Sequence, residues 1–428
     1  MAVIGGIIGG GIFRTPAAVA ERVGSPRLIL AAWITGGAVA LIGALCFAEL
    51  GQRRPRAGGG YVYLRETWGP FPAFLYGWAL LLVIASGAIA AIAVTFADYT
   101  LALTRLPACF SLPLAIAAIL FVSAVNYLGV RPGALVQNCF TLLKLAALAA
   151  LVAIGLAAGL PPAAPPPPGV PTAFGAALVP ILFTYGGWQQ TNFIAEEMVD
   201  PERDLPRALL LGVGMVVAVY LLANLAYLRV LGAEGLARST APAADAMRRV
   251  LGPSGGTLIA AGIAASTFGF LNLVILATPR VFQAMAADGV FFPRLARLHP
   301  VHRTPASAIA VQALWASVLV LSGSFSQLVD YVAFADWIFF GLTVAGLFVY
   351  RARERGEARP PGAFRVPGYP WTPALFVAAA IFVVASSVAA NPRNALIGTG
   401  LLGLGVPAYW YWARAGRSGR PRGREGGD

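Results

Sequence analysis

The sequence contains few charged residues: only 11% of its 428 residues are Asp, Glu, Lys or Arg, against about 25% in an ordinary soluble domain. This shortage excludes an ordinary cytosolic enzyme, and a hydrophobic content of 58% excludes a disordered chain. Cysteine is also scarce, because three residues cannot form a disulfide framework. The two histidines, His299 and His302, have no acidic or cysteine cluster beside them, so no metal site is predicted.

The apolar residues fall into long runs of the kind that cross membranes. At about 1.5 Å per residue, crossing about 30 Å of hydrocarbon takes roughly 20 mostly apolar residues. About twelve segments qualify, which predicts an all-α polytopic membrane protein. The predicted spans are residues 2–21, 28–50, 71–101, 110–128, 133–158, 173–198, 207–231, 256–287, 305–323, 327–350, 372–390 and 394–413.

Arginine is distributed unevenly among the loops between these spans. With the N-terminus in the cytoplasm, 20 arginines fall in the predicted cytoplasmic loops and tail, and 8 fall on the opposite side. Positively charged loops tend to stay in the cytoplasm. The bias predicts a multi-pass protein of the plasma (inner) membrane with both termini in the cytoplasm. It also accounts for the net charge of +13 without a nucleic-acid partner.

Glycine clusters interrupt two of the predicted spans. Five glycines fall between Gly5 and Gly11 in the first span, and Gly186 and Gly187 interrupt the sixth. Each glycine costs a helix about 1 kcal/mol relative to alanine, which favours a break at both places. A small-residue packing face in the first span and a simple kink in the sixth are the alternatives. Breaks at matching positions of two halves are typical of the substrate site of inverted-repeat transporters.

The pairing of spans one and six defines the predicted organisation of the chain. The run PPAAPPPP at 161–168 cannot continue a helix, so it should separate the two halves. The predicted units are a first five-span repeat at 1–158, a Pro-rich extracellular loop at 159–172, a second five-span repeat at 173–350, a basic cytoplasmic loop at 351–371, two additional spans at 372–413 and a basic cytoplasmic tail at 414–428.

Two broken spans would expose backbone groups of opposite character. The half-helix after the first break offers free N–H groups and the positive end of its dipole to a carboxylate. The half-helices that end at the breaks offer unpaired carbonyls to an ammonium group. Together the breaks suit an α-amino acid zwitterion. The cavity walls expected from the sequence are small and apolar, which favours neutral amino acids.

Lys144 is the only lysine among the 31 basic residues, and it lies in the middle of the fifth apolar run. A charge near the bilayer centre costs about 2.5–3.5 kcal/mol on insertion scales, so such residues usually face the protein interior. A buried lysine, unlike an arginine, can also release its proton. Two roles follow for Lys144: a fixed cation bonded to helix-end carbonyls, or a proton carrier.

Other polar residues of the spans are less distinctive. Arg14 directly follows the broken first span, and an ion pair with an acid such as Glu49 would gate the pathway. In the eighth span, candidates for either the cavity wall or interhelical hydrogen bonds are Ser266, Thr267 and Asn272. In the tenth, the aromatic residues expected to pack rather than line the cavity are Tyr331, Phe334, Trp337 and Phe340.

Six pieces of sequence, in the same order over nearly the whole chain, resemble the amino acid, polyamine and organocation (APC) superfamily. Within it the chain resembles the L-type amino acid transporter branch, which includes bacterial serine/threonine exchangers. The pieces are IIGGGIF at 7–13, FAELG at 47–51, PRAGGGYVYLRE at 55–66, FTLLKLAAL at 140–148, FTYGGWQQTNFIAEEMVDPERDLPRAL at 183–209 and PRVFQAMAADGVFFP at 279–293.

The resemblance implies a LeuT-type fold, with two inverted five-helix repeats plus two helices, and with spans 1 and 6 unwound. It implies that the substrate carboxylate meets the backbone amides of Gly9, Gly10 and Gly11. The carbonyls that would meet the amino group are those of Ile7, Phe183 and Gly186, with the rings of Phe183 and Trp188 as the gate. Lys144 matches a family lysine that replaces a sodium ion, which implies sodium-independent transport. The chain departs from the family at Gly10, where a serine is common.

The function predicted on these grounds is a sodium-independent amino acid transporter that works by alternating access, through exchange or proton coupling. Its expected partners are the amino acid, the lipid bilayer and, for proton coupling, protons; no cofactor is implied. A proton-coupled amine or polyamine antiporter is the alternative that acidic pocket residues would favour. A non-transporting amino-acid sensor would need a signalling domain, and an intramembrane enzyme would need a nucleophile and base or a metal cluster.

Cys109 falls in the loop between the third and fourth spans. In eukaryotic members of the branch that the chain resembles, a cysteine in this loop bonds a heavy chain. Bacterial members act without one, so no heavy-chain partner is expected here.

Overall fold

The structure is a computed structural model that describes residues 1–158, 173–322, 325–354 and 363–418. The side chains of 325–334, 413 and 415–418 are outside that description. The predicted Pro-rich loop at 159–172, the central part of the basic loop at 351–371 and most of the basic tail also lie outside it.

The regular elements of the described ranges are helices. The α-helices are α1 (Ala2–Ile7), α2 (Thr15–Val23), α3 (Pro26–Arg53), α4 (Gly60–Trp68), α5 (Pro70–Ala79), α6 (Ala85–Thr104), α7 (Ser111–Tyr127), α8 (Val130–Ala157), α9 (Phe174–Thr184), α10 (Pro201–Arg238), α11 (Pro242–Leu251), α12 (Pro253–Ala277), α13 (Pro279–Ala287), α14 (Ala306–Ser322), α15 (Phe325–Arg353), α16 (Trp371–Ala390), α17 (Pro392–Gly403) and α18 (Gly405–Ser418). A π-helical turn, Leu80–Ile84, joins α5 to α6, and the 3-10 helices are Gly11–Phe13, Ala108–Phe110, Trp188–Glu197 and Pro293–Ala296.

Over the described residues, 8 helical segments are long and apolar enough to cross a membrane. These segments are Pro26–Arg53, Pro70–Thr104, Ala108–Tyr127, Val130–Ala157, Pro201–Arg238, Pro253–Ala287, Ala335–Arg353 and Trp371–Ala390. The chain is therefore an all-helical, multi-pass membrane protein.

The other four predicted spans are shorter or interrupted. The first corresponds to α1 and α2, and the sixth to α9 and the 3-10 helix Trp188–Glu197. The ninth corresponds to the 17-residue helix α14. The twelfth is not the continuous helix expected from its hydropathy, because α17 ends at Gly403 and α18 begins at Gly405. The total of twelve spans stays a prediction.

Proline marks the start of many of these helices. Seven of them, α3, α5, α10, α11, α12, α13 and α17, begin with proline. The first helical position suits proline because its fixed φ is helical and its missing N–H would have no partner inside the helix. Pro279 starts α13 immediately after Thr278, which follows the end of α12.

The helix of the first predicted span stops after six residues. α1 ends at Ile7, and Ile8 is extended with φ −75° and ψ 90°. The Gly9 N–H then turns back to the Ile7 carbonyl at 2.9 Å. Helical structure resumes with the 3-10 helix Gly11–Phe13 and with α2. The backbone of residues 8–10 is therefore not α-helical.

The sixth predicted span is interrupted at Gly187, and its backbone touches that of the first. Gly187 has φ +106°, a left-handed conformation that favours glycine. A Cβ at Gly187 would overlap the Gly6 carbonyl oxygen, and a Cβ at Gly6 would lie 2.8 Å from the Gly187 carbonyl oxygen. Glycine at both positions lets the two interrupted segments approach backbone to backbone.

Long helices surround this contact between the two breaks. α1 packs against α8, α10, α12 and the 3-10 helix Trp188–Glu197. α3 lies along α10, and α12 contacts both α6 and α8. The breaks are therefore held inside the bundle, where irregular backbone can be tolerated at membrane depth.

We expect Gly187→Ala to destabilise the protein strongly. The left-handed backbone costs a non-glycine residue about 1–2 kcal/mol, and the overlap with Gly6 adds roughly 1–3 kcal/mol of overpacking. The matched control is Gly214→Ala inside α10, where an added Cβ meets nothing within 4 Å. Melting temperatures of the purified variants in detergent measure the difference. Equal melting temperatures would contradict the backbone contact described above.

Candidate functional site

A cavity of about 290 Å³ lies between the two interrupted segments, close to the lower end of the roughly 300–1,000 Å³ typical of small-molecule sites. Its lining from the two segments includes Ile7, Gly9, Gly10, Gly11, Phe183, Gly186 and Gln190. The other walls include Tyr76, Leu80 and Ile84 from α5 and the π-helical turn, Thr267 and Phe270 from α12, and Asp336, Trp337 and Phe340 from α15. Both glycine clusters found in the sequence therefore face one cavity.

The glycine amides of the first break differ in whether they are already bonded. Gly9 donates its N–H to Ile7, whereas the N–H groups of Gly10 and Gly11 make no hydrogen bond within the described part of the chain. A Cβ at Gly10 would meet nothing within 4 Å, but one at Gly11 would lie 2.7 Å from the Thr184 side chain. Gly10 is thus the position at which the backbone is open to the cavity.

The three predicted carbonyls also differ in their partners. The Ile7 carbonyl accepts the Gly9 N–H at 2.9 Å and the Tyr220 hydroxyl at 3.0 Å. The Phe183 carbonyl accepts the Gly186 N–H at 3.0 Å. The Gly186 carbonyl accepts no hydrogen bond from any described residue. An incoming ammonium group would find its least occupied acceptor at Gly186.

The two predicted gate residues lie in different environments. Phe183 lines the cavity and is 49% exposed. Trp188 is only 3% exposed and is not part of the cavity wall. Its ring centroid lies 4.9 Å from that of Phe47 and 6.1 Å from that of Phe340. The placement of Trp188 at the gate does not fit this structure, because the ring is packed behind the cavity wall.

Lys144 is fully buried beside the first break and does not line the cavity. Its Nζ donates to the carbonyls of Gly5 at 3.0 Å and Ile8 at 2.7 Å. The Ser266 hydroxyl lies 3.2 Å from the carbonyl oxygens of both Ile8 and Gly9. Lys144 and Ser266 thus occupy carbonyls that the end of α1 leaves without a helical partner.

Of the three candidates in the eighth predicted span, only Thr267 lines the cavity. Its hydroxyl donates a hydrogen bond to the Ile263 carbonyl at 2.8 Å. Asn272 instead belongs to a buried network, in which its side-chain amide donates to the Gly133 carbonyl and to Gln137. Ser266 and Asn272 therefore do not line this cavity: Ser266 bonds to the backbone of the first break, and Asn272 bonds to α8.

Sequence reasoning missed two tyrosines that hold the first break from α10. The Tyr220 hydroxyl donates to Ile7, and the Tyr227 hydroxyl donates to the Ile12 carbonyl at 3.3 Å. Residues seven positions apart lie on the same face of a helix. The spacing of the two tyrosines could therefore have indicated that they contact the same neighbouring segment. The hydroxyls of Thr15 and Thr184, 2.8 Å apart, also join the two interrupted segments.

The tenth predicted span contributes more to the cavity than expected. Trp337 and Phe340, which were expected to pack, line the cavity as well as packing against neighbouring rings. Asp336, which the sequence analysis did not select, lines it too. Tyr331 and Phe334 lie outside the described side chains.

A buried acid lies at the end of α3. Glu49 is 0% exposed and accepts hydrogen bonds from Arg53 and Arg351, each with a shortest distance of 2.6 Å. It also accepts the Val366 N–H at 2.7 Å. The ion pairs of Glu49 are thus with Arg53 and Arg351, and not with Arg14 as the sequence analysis considered.

Further ion pairs join the ends of the neighbouring helices. They are Arg53 with Glu354, Arg54 with Glu66, Arg65 with Asp288 and Arg280 with Glu197. The Tyr61 hydroxyl donates to Asp288 at 2.8 Å, and burial together with this carboxylate raises the pKa of Tyr61 above its usual value. We call these pairs, with Glu49 and Arg351, the charged layer. Within the described residues, no group of three or more His, Cys, Asp or Glu could hold a metal ion.

A family model described as amino acid permease matches residues 1–405. The chain belongs to the amino acid permease family. This membership confirms the resemblance to the APC superfamily that the sequence pieces indicated. Because the family consists of transporters, this permease is a transporter and not an enzyme.

Relatives of this permease match over most of its length. It is 35% identical to the serine/threonine exchanger SteT of Bacillus subtilis, over 95% of this chain and 94% of the relative. It is 35% identical to the b(0,+)-type amino acid transporter 1 of Homo sapiens, over 91% of this chain and 81% of the relative. It is 33% identical to the large neutral amino acids transporter small subunit 2 of Mus musculus, over 96% and 79%.

Proposed function

We propose that this permease is a sodium-independent transporter of neutral amino acids that exchanges its substrates by alternating access. One observation carries the proposal: unpaired amides of the first break and an unpaired carbonyl of the second face the same cavity. These groups match the carboxylate and the ammonium of a zwitterion. The names of the relatives, among them a serine/threonine exchanger and a large neutral amino acids transporter subunit, support the same substrate class.

The substrate carboxylate is assigned to the amides of the first break. Gly10 and Gly11 offer free N–H groups where the 3-10 helix Gly11–Phe13 begins. Charge-assisted hydrogen bonds from backbone N–H groups to a carboxylate are stronger than neutral ones. Gly9 is the third residue predicted to bind the carboxylate. Its N–H could do so only if its hydrogen bond to the Ile7 carbonyl were broken.

The substrate ammonium is assigned to carbonyls at both breaks. Gly186 is the first choice because its carbonyl is unoccupied within the described chain, and Phe183 lies next to it on the cavity. Ile7 would take part when the Gly9 N–H moves to the substrate carboxylate, which frees one of the two positions on its carbonyl. In this scheme the ring of Phe183, half exposed over the cavity, covers the bound substrate.

The organisation of the chain in the membrane is proposed on the same basis. Residues 1–158 and 173–350 form two inverted five-span repeats of a LeuT-type fold, in which spans 1 and 6 are discontinuous. Residues 372–413 add two spans, which gives twelve in total. Both termini face the cytoplasm of a plasma (inner) membrane, and the permease acts without a heavy chain although Cys109 is exposed.

The charged layer suits the role of an inner gate. In the proposed orientation the end of α3, the start of α4 and the end of α15 lie on the cytoplasmic side. Their ion pairs include the fully buried Glu49, and breaking a buried pair by removing one partner costs about 3–5 kcal/mol. Opening toward the cytoplasm would have to separate these pairs together, which gives a transporter two distinct states.

Lys144 is proposed to be a tether that replaces a metal ion. Its ammonium bonds to the Gly5 and Ile8 carbonyls at the end of α1. An ammonium group bonded to these carbonyls would take the place of a sodium ion there. The absence of Lys144 from the cavity wall supports the tether over a proton carrier, since protons would have to reach a fully buried group.

An amine or polyamine antiporter is the second candidate, because Asp336 places an acid on the cavity wall. An amine without a carboxylate would leave the Gly10 and Gly11 amides without an acceptor. A carboxylate would give these amides charge-assisted hydrogen bonds that a simple amine cannot provide. The amide pair therefore favours amino acids over simple amines.

Counterflow in proteoliposomes tests the proposed function. Vesicles containing the purified permease are loaded with an unlabelled neutral amino acid and given a labelled one in sodium-free buffer. We expect uptake that requires the internal amino acid and is unchanged by added sodium. Uptake of polyamines but of no amino acid would support the second candidate, and a requirement for sodium would contradict the role given to Lys144.

We expect Gly10→Val to weaken substrate binding without unfolding the protein. The new side chain would enter open space beside the amides, at a backbone φ of −76° that any residue can adopt. Hydrogen bonds to a charged group are worth about 1.5–3 kcal/mol each, so the affinity should fall by roughly tenfold or more. Competition against labelled substrate in the vesicles measures this affinity.

Gly10→Ser is the matched variant for Gly10→Val, because it adds a Cβ and a hydroxyl that can itself donate to the carboxylate. We expect it to bind substrate more tightly than Gly10→Val. Equal substrate affinities of the two variants and the wild type would contradict the assignment of the substrate carboxylate to this position.

We expect Lys144→Met to abolish exchange even when the pH is equal on both sides of the vesicle. The variant leaves the Gly5 and Ile8 carbonyls without their donor, at about 1–3 kcal/mol each, so α1 would lose its position. The control is Leu143→Met on the exposed face of α8. If Lys144→Met keeps exchange at equal pH and loses only uptake driven by a pH gradient, Lys144 is a proton carrier instead.

A further inference from the structure

Asp336 lies in an unusual position for an acid. It belongs to α15 and lines the cavity that both interrupted segments face. Every acid of the charged layer has a basic partner, whereas Asp336 makes no hydrogen bond or ion pair with any residue described here. Its side chain is partly buried and forms part of the cavity wall.

The cavity wall offers nothing that would neutralise this carboxylate. Among the described residues that line the cavity, no lysine, arginine or histidine is present. Lys144 lies outside the wall and is bonded to backbone carbonyls. The cavity wall therefore carries one acidic side chain without a basic partner among the described residues, and the cationic group of a bound molecule would supply that partner.

The surroundings of Asp336 also suit a cation. Tyr76, Trp337 and Phe340 line the same cavity. The faces of aromatic rings attract ammonium and guanidinium groups. Gln190 also lines the cavity, and its side-chain oxygen has no hydrogen-bond partner among the described residues.

We propose that Asp336 binds the cationic end of a substrate side chain, so that the permease accepts dibasic amino acids such as lysine in addition to neutral ones. This inference rests on the proposed function, because the backbone groups at the breaks must already hold the α-carboxylate and α-ammonium. Those groups match the two charges of the zwitterion. A dibasic substrate brings a third charge, and Asp336 is the group of opposite sign on the wall.

Neutral substrates are compatible with the same site. Because the side chain of Asp336 is only partly buried, water in the cavity can solvate its carboxylate when the substrate has no side-chain charge. An acidic substrate, in contrast, would bring two like charges together in a largely apolar cavity. The expected preference is therefore for dibasic and neutral amino acids over acidic ones.

Competition with matched substrates tests the proposal in the counterflow assay. Lysine and norleucine have side chains of similar length, and only lysine carries a side-chain ammonium. With a labelled neutral amino acid as reporter, we expect lysine to compete in the wild type. In Asp336→Asn the ratio of lysine affinity to norleucine affinity should fall by roughly tenfold or more, about 1.4 kcal/mol. Asp336→Glu, which keeps the charge, should restore at least part of the ratio.

The control variant removes an acid of the same charge that is not part of the cavity wall. Glu234→Gln breaks an exposed pair with Arg238, whose shortest distance is 2.6 Å, and should keep the wild-type ratio. Exchange of neutral amino acids without any competition by lysine in the wild type would overturn the inference and leave the proposed function intact. An unchanged ratio in Asp336→Asn would also overturn it. No exchange of any amino acid would instead contradict the proposed function.

Discussion

Backbone groups at membrane depth need hydrogen-bond partners, and the rest of this structure depends on how that need is met at two breaks. Lipid supplies no partner, so irregular backbone is tolerated only inside protein or beside a cavity. Gly6 and Gly187 let the two interrupted segments touch, which buries most of the irregular backbone. The carbonyls released from α1 are then bonded by Lys144, Tyr220 and Ser266.

The partners supplied by the surrounding helices decide which backbone groups remain for a ligand. α8 provides Lys144, α10 provides Tyr220 and α12 provides Ser266, and these three side chains occupy the carbonyls next to the break. The groups they leave are the amides of Gly10 and Gly11 and the carbonyl of Gly186. The chemistry of the cavity is therefore set as much by residues outside its wall as by those lining it.

The sequence predicted the parts of the site that depend on local features. A glycine cluster inside an apolar run and a lone lysine in mid-span are visible without knowing the fold, so both breaks and Lys144 were selected. Contacts between distant parts of the chain were not visible: Glu49 pairs with Arg351, 302 positions away in the chain, and Tyr220 meets Ile7. Trp188, which was selected for the gate, does not line this cavity, because proximity to a break does not say which way a ring points after a turn.

The acids of the charged layer and the acid of the cavity wall have different roles. A buried acid with two arginines, such as Glu49, contributes a fixed geometry, because separating the charges leaves each one desolvated. An acid on a cavity wall without a partner contributes selectivity, because its charge is satisfied by whatever enters. Asp336 is the one acid among the described residues that line the cavity, and in the proposed scheme the two charges of the zwitterion are met by backbone groups. In that scheme the substrate side chain is a further part of what this permease recognises.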